Sequence, residues 1–243
     1  YTFSDPLTCA VTLDKAVAKR LVMAHGLRTP RFCLIREATD LDTIRLDYPL
    51  FVKPVAEGTG KGIDGQSRVA SPKMLCNAVL PLLARLRQPV LVEEYLPGRE
   101  FTTGILGAGA EARVLGTMEI CILPNAAVGD YSFDVKEQCE SCVSYKPLEH
   151  GSLRQSVETL ALYAYRALEC RDAGRIDTRL DHDGKPAFLE LNPLPGLHPT
   201  HSDLPVIATQ EGMNYTDLIG AILSSAAQRI PTATPISAEE AVR

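Results

Sequence analysis

The sequence predicts an α+β protein, on three observations. Short apolar runs rich in valine, isoleucine and phenylalanine are interspersed with amphipathic stretches of helical period. Two runs of alternating polarity flank the turn residues Asp183-Gly184, which is a hairpin signature. A chain of 243 residues that is 45% hydrophobic can also bury one large core or two smaller ones.

In chain order, Thr12 is expected to cap a helix with Leu13, Val17, Leu21 and Ala24 on its apolar face, ending at Gly26. Arg31 to Ile35 is expected as a strand and Asp40 to Leu46 as a short helix. Leu50 to Pro54 is a strand with Lys53 near its end, and the glycine-rich Glu57-Gly58-Thr59-Gly60-Lys61-Gly62 follows. Ser71-Pro72 caps a helix carrying Leu75, Val79, Leu82 and Leu86, with Pro81 as a kink site. Strands are then expected over Pro89 to Tyr95, Phe101 to Leu106 and Val114 to Cys121. A long helix from Leu153 to Cys170 precedes strands over Arg175 to Leu180 and Ala187 to Asn192. A proline-rich loop from Pro193 to Pro205 and a helix capped by Thr216 complete the order, and the tail after Ile230 reads as loosely held. No internal repeat interrupts it.

Composition excludes several function classes. The net charge of −5 is spread over interspersed residues with no basic tract, which argues against nucleic-acid binding. No apolar run reaches membrane-span length and no signal peptide is visible, so no membrane partner is expected. Seven cysteines, an odd number, fit reduced thiols in a cytoplasm better than a disulfide framework. Cys139 and Cys142 form a lone CxxC without the second pair that a zinc site needs.

Four groups of residues could carry chemistry. Glycines over 58–62 allow backbone N–H groups to approach an anion, although a surface turn has the same composition. Lys53 in an apolar strand either points into a site or snorkels to solvent. Glu93 and Glu94 are adjacent on a strand, so only one of them can face a site. The strongest signal is the hairpin: Arg175, Asp177, Glu190 and Asn192 share one face, and Ile176, Leu180, Leu189 and Leu191 share the other. If Asp183 and Gly184 are the central residues of a type I′ turn, His182 pairs with Lys185, Asp177 with Glu190 and Arg175 with Asn192. Opposed carboxylates repel, which predicts a divalent cation between them. It also predicts that, without metal, Asp177→Asn or Glu190→Gln leaves the fold at least as stable.

Lys53 before a glycine loop, Val92-Glu93-Glu94-Tyr95-Leu96 with Glu100, Gly174-Arg175-Ile176-Asp177, and Glu190-Leu191-Asn192 with Pro195-Gly196 stand in the order of the ATP-grasp superfamily. The chain resembles the D-alanine–D-alanine ligase group over nearly its whole length, including Asp14-Lys15. The resemblance implies two α+β lobes gripping ATP: a leading helix and linker over 1–30, a small lobe over 31–98 and a large lobe with the metal site over 99–243. It also implies a separate N-terminal domain that this chain lacks, and the chain opens with Tyr1 rather than Met.

The implied reaction is ATP-dependent carboxylate–amine ligation through an acyl-phosphate. Lys53 and Lys136 would contact the phosphates, with Glu57, Gly58, Thr59, Gly60 and Gly62 in the loop covering them. Glu93, with the backbone around Glu94 and Leu96, would meet the adenine, and Glu100 the ribose. Asp177, Glu190 and Asn192 would hold two Mg2+ ions, Mn2+ being an alternative. Arg175 and the backbone of Gly196 would stabilise the oxyanion. Ser202 would hold a substrate carboxylate, with His198 and His201 beside it as substrate contacts or a general base.

This chain has Thr59 and Gly60 where D-alanine ligases have paired serines, Glu137 where they have a tyrosine, and a longer, histidine-bearing loop from Leu197 to Asp203. Those departures predict small amino-acid-like substrates other than D-alanine. A D-alanine–D-alanine ligase proper is one alternative, a non-catalytic nucleotide-binding regulatory module is the alternative from another class, and a homodimer is left open.

Overall fold

The computed structural model describes residues 1–58, 60–122 and 143–230. Two antiparallel sheets organise it. The first has strands β1 (Phe32–Ile35), β2 (Leu50–Pro54), β3 (Arg68–Val69) and β4 (Val90–Glu94) in the order β1-β4-β2-β3. The second has β5 (Glu100–Leu106), β6 (Arg113–Ile122), β7 (Val143–Pro147), β8 (Ala173–Leu180) and β9 (Pro186–Asn192) in the order β7-β6-β5-β8-β9.

Helix α3 (Pro72–Leu86) covers the first sheet. Ser71 caps it by accepting from the Met74 N–H, and it buries Leu75, Val79 and Leu82 against Leu50, Val52 and Val92. The second sheet is buried on both faces. Helix α4 (Ser152–Ala167) packs Ala161, Ala164 and Tyr165 against Ile105, Ile176 and Phe188. Helices α5 (Asp203–Gln210) and α6 (Tyr215–Ala227) pack Leu204, Ile207 and Leu218 against Leu106 and Met118 on the opposite face. Adjacent residues Ile105 and Leu106 thus serve different cores, as the pleat requires.

The N-terminal helices differ from the sequence expectation. Pro6 opens α1 (Pro6–Leu13), and Asp5 caps it. The next helix, α2 (Lys15–Ala24), is capped by Asp14, which accepts from the N–H groups of Ala16 and Val17. The Thr12 hydroxyl instead donates to the Thr8 carbonyl within α1. The expected apolar face is not the buried one: Leu13 and Leu21 are exposed, whereas Ala16, Ala18, Lys19 and Val22 are buried. Leu13 belongs to a different helix, which broke the assumed period. Helix α2 spans both sheets, with Ala16 beside Val55 and Leu91 and Val22 in the α4 core.

Two further expectations are corrected. The proline-rich loop ends at Ser202, because α5 takes Pro205 within its first turn, where no intrahelical N–H donor is required. Asn214, not Thr216, caps α6 and accepts from the Asp217 N–H.

The β8–β9 hairpin does not close on a two-residue turn. Leu180 pairs with Pro186, and the Asp181 N–H donates to the Lys185 carbonyl at 2.9 Å, leaving three residues in the loop. Gly184 there has φ +75°, the left-handed conformation a three-residue hairpin requires. An irregularity between Asp177 and Thr178 then shifts the pairing by one residue. Beyond it, Asp177 pairs with Glu190, Ile176 with Leu191 and Arg175 with Asn192, as expected. Phe188, not Leu189, occupies the apolar face with Ile176 and Leu191.

Candidate active site: a cleft between the two sheets

A cavity lies where the sheets meet. The first sheet contributes Phe51, Lys53 and Glu93, the connection between sheets contributes Tyr95 and Leu96, and the second sheet contributes Glu100, Asp177, Arg179, Leu189 and Glu190. Apolar Phe51, Leu96 and Leu189 around convergent charges suit a ligand that is part flat ring and part polyanion.

Glu93 is the buried centre on the first sheet. Lys53 Nζ lies 2.6 Å from one carboxylate oxygen and Lys19 Nζ 2.9 Å from the other. Burial alone would raise the carboxyl pKa, but the two ammonium groups outweigh it and hold Glu93 below its ordinary value. Burial pushes Lys19 down to about 8 despite Glu93. Lys19 also donates to the Thr29 hydroxyl at 2.9 Å and the Phe188 carbonyl at 3.3 Å, so it ties α2 to both sheets. Burial opposes the charge on Lys53 too, but Glu93 and Glu190 more than compensate and its pKa is raised.

The second sheet presents a carboxylate and amide face. Asp177 accepts from the Thr102 hydroxyl at 2.7 Å, from Arg175 Nε and Nη2 at 3.1 and 2.9 Å, and weakly from Asn192 at 3.4 Å. Arg175 Nη1 reaches across to Asp203 at the start of α5. Glu190, directly opposite Asp177, lies 3.3 Å from Lys15 Nζ. Lys15 also donates to the Glu57 carbonyl, which anchors the start of the glycine segment.

Two opposed carboxylates, one neighbouring amide and open space fit a magnesium ion, which usually takes one or two protein carboxylates and completes its shell with water and substrate phosphates. Among the described residues no cluster of three or more His, Cys, Asp and Glu side chains has metal-binding geometry, so no all-protein cage exists. Arg175 compensates Asp177, as the sequence led one to expect in part, and Lys15 adds a compensating charge at Glu190 that the sequence reading did not include.

The structure brings Lys53, Glu93, Glu94, Leu96, Glu100, Asp177 and Glu190 to one cavity, with Arg175 and Asn192 adjoining it through Asp177. The Glu94 side chain turns outward to Arg31, 2.5 Å away, and its N–H donates to the Arg31 carbonyl. Ile63, just after the glycine segment, borders the cavity, whereas Glu57, Gly58, Gly60 and Gly62 do not line it. Gly60 and Gly62 have φ of +74° and +80°, and the Glu57 carboxylate is engaged by Lys61 and Gln88 at 3.1 and 2.8 Å. Thr59 and Lys136 lie outside the described residues, as do Glu137, Cys139 and Cys142.

The substrate-side residues sit on the loop between β9 and α5. The His198 and His201 rings lie against each other, tilted by 43° with centroids 4.6 Å apart. The Ser202 hydroxyl accepts from the His198 N–H at 3.0 Å, and a Cβ on Gly196 would meet that hydroxyl at 2.6 Å. A side chain at 196 would therefore displace the Ser202 hydroxyl from its present position.

Lys15, Lys19, Arg179 and Asp203 carry no assigned role in the sequence reading. Arg179 was legible, because it continues the every-second-residue pattern of Arg175 and Asp177. It faces Glu100 at 3.6 Å and lies over the Tyr95 ring, 5.2 Å from its centroid. Lys15 and Lys19 lie four residues apart on one face of α2.

The family model described as the D-ala D-ala ligase C-terminus matches residues 21–224. This chain belongs to that family. Among similar relatives, the D-alanine–D-alanine ligase of Bordetella petrii is 36% identical over 233 residues, covering 95% of this chain and 69% of the relative. That of Cupriavidus metallidurans is 35% identical over 232 residues, covering 93% and 67%. Of solved structures, the Bacillus anthracis D-alanine–D-alanine ligase complexed with ATP superposes with a TM-score of 0.75 at 24% identity, over 94% of this chain and 70% of that one. The VanG D-Ala:D-Ser ligase of Enterococcus faecalis gives 0.75 at 24%, over 92% and 64%. As a member of the D-ala D-ala ligase C-terminus family, the chain has the ATP-grasp fold and is an ATP-dependent, ADP-forming carbon–nitrogen ligase. No helix among the described residues is long and apolar enough to cross a membrane.

Proposed function

We propose that this ligase activates the carboxylate of one amino-acid-like substrate with ATP and transfers the acyl group to the amine of a second, forming an amide other than D-alanyl-D-alanine. The observation that carries the chemistry is the direct pairing of Asp177 with Glu190 in the cavity that also holds Lys53 and Glu93. That arrangement supports a cation site on the second sheet facing a phosphate site at Lys53 on the first.

Lys53 neutralises phosphate oxygens, and Lys15, within reach of Glu190, does the same from α2. Glu93 and the Glu94–Leu96 backbone meet the base, and Glu100 meets the ribose. The glycine segment from Glu57 to Gly62 and Lys136 cover the phosphates. Asp177, Glu190 and Asn192 hold magnesium, which supplies positive charge against the transferring phosphoryl group. Arg175 and the Gly196 N–H face the oxyanion that develops when the amine attacks. No nucleophilic side chain is required, because positioning and electrostatics do the work.

The His198–His201 ring pair on the loop that carries Ser202 supports a substrate pocket different from one built for D-alanine. A panel of amino acids assayed for ADP release, with products weighed by mass spectrometry, tests the proposal. Turnover with an amine-bearing pair other than D-alanine is the expected result. D-alanine outperforming every other amino acid would refute the substrate reading, and nucleotide binding without turnover on any pair would favour a non-catalytic regulatory module.

A further inference from the structure

Arg175 is shared between two carboxylates. Its Nε and Nη2 donate to Asp177 at 3.1 and 2.9 Å, while Nη1 donates to Asp203. All three side chains are largely buried, with 16% of Arg175, 8% of Asp177 and 13% of Asp203 exposed. Asp203 is the first residue of α5, and Leu204 and Pro205 behind it are buried in the core, so its backbone is fixed. Asp177 comes instead from β8, and Thr102 on the neighbouring strand holds it from the other side.

This geometry sets up a competition. A cation held by Asp177 and Glu190 needs Asp177 oxygen atoms that Arg175 occupies in the metal-free chain. An arginine that loses its only carboxylate in a buried site is left as an uncompensated charge, which is strongly unfavourable. Arg175 avoids this because Nη1 already has a second carboxylate.

We propose that Asp203 is a positioning residue for the ligase reaction: it keeps Arg175 paired and in place when a metal ion takes Asp177. The proposal rests on the assignment of Asp177 and Glu190 as metal ligands. Asp203 thereby lowers the penalty of loading the metal and keeps the guanidinium held between β8 and the start of α5. It acts on the metal site through Arg175.

The test is Mn2+ binding to the full chain in the presence of a non-hydrolysable ATP analogue, read from the electron paramagnetic resonance signal of free Mn2+. Asp203→Asn, nearly isosteric, is expected to weaken Mn2+ binding by roughly tenfold, the low end of what losing an outer-shell partner does to a metal site. Asp203→Glu restores a carboxylate and is expected to bind within about twofold of the unmodified chain, which excludes misfolding as the cause. In an Arg175→Met background Asp203→Asn is expected to have no further effect, because there is no guanidinium left to hold. An unchanged Mn2+ affinity in Asp203→Asn, or the same loss with and without Arg175, overturns the proposal. Failure of the underlying metal assignment is separately visible: Mn2+ binding would then be indifferent to Asp177→Asn and Glu190→Gln, and the proposal would fall with it.

Discussion

Asp177→Asn tests the electrostatics of the cleft without metal or substrate. Two opposed carboxylates about 5 Å apart at an effective dielectric of about 20 repel by about 3 kcal/mol. At the same dielectric, Arg175 about 3 Å from Asp177 attracts it by about 5 kcal/mol, and Lys15 sits 3.3 Å from Glu190. Attraction therefore wins, and neutralising Asp177 removes more than it relieves. Asparagine keeps an acceptor for the Thr102 hydroxyl but turns an N–H2 group towards Arg175. The loss is that of a charge-assisted hydrogen bond, about 1.5–3 kcal/mol.

For a chain of this size, each kcal/mol shifts Tm by about 2–4 °C, so the metal-free variant is expected to melt about 3–12 °C lower. Thermal melts of both chains in EDTA measure this, and ADP release with magnesium is expected to fall to background. A metal-free variant that melts at or above the unmodified chain would show that carboxylate repulsion dominates and that Arg175 does not compensate it. Full turnover in the variant would remove Asp177 from the metal site.

Lys19→Met deletes the buried strut and leaves Glu93 with Lys53 alone. Breaking such a pair is expected to destabilise by about 3–5 kcal/mol, and a denaturant titration showing under about 1 kcal/mol would contradict that. Gly98→Ala puts a Cβ 2.5 Å from the Leu180 Cβ and 2.7 Å from its carbonyl oxygen. Forcing the connection between sheets off β8 should lower stability by about 1–3 kcal/mol and raise the KM for ATP, and an unaltered KM would show that the connection does not set the cleft. Burial would raise the Asp172 pKa, but its bonds from Arg229, Ser225 and the Phe3 N–H hold it below its ordinary value. Its contribution is therefore complete above the unfolded pKa of 3.8 and is lost as pH falls through the folded value. Asp172→Asn should start less stable at neutral pH and lose less between about pH 4 and 2 than the unmodified chain, and parallel acid-denaturation curves would contradict this.

Strands β2, β4, β8 and β9 were legible because each is an apolar run or a clean alternation, and a two-residue period survives small errors at the ends. The pairing of Asp177 with Glu190 was also foreseen, but for an incomplete reason. The turn shifts the register by one residue, and the irregularity at Asp177/Thr178 shifts it back. Neither offset is visible in a hydrophobicity pattern, and only Leu189, moved from the core to the cavity, records them. Lys19 was hidden by the rule that buried helix faces are apolar. That rule fails where a cation has Glu93, Thr29 and Phe188 to receive it. Asp203 was hidden because a proline-rich stretch reads as loop, although Pro205 is compatible with a first helical turn.

The cations and anions of the cleft are matched. Among the described residues, Lys15, Lys19, Lys53, Arg175 and Arg179 face Glu93, Glu100, Asp177, Glu190 and Asp203, and each cation lies within ion-pair distance of at least one of those carboxylates. A cleft built only to attract a free polyphosphate would carry an excess of positive charge. Counted over the described residues this one is close to neutral, so bare nucleotide gains little from those groups. On the proposed site assignment, nucleotide arriving with divalent cations would bring its own compensation and take over the pairs one at a time: metal for Arg175 at Asp177, metal for Lys15 at Glu190, phosphate for Glu190 at Lys15. Each exchange swaps one ionic partner for another and leaves no buried charge bare, which keeps the cleft stable both empty and loaded. The carboxylates are thus as necessary as the lysines, and metal dependence follows from the charge arrangement of the cleft as much as from the chemistry of phosphoryl transfer.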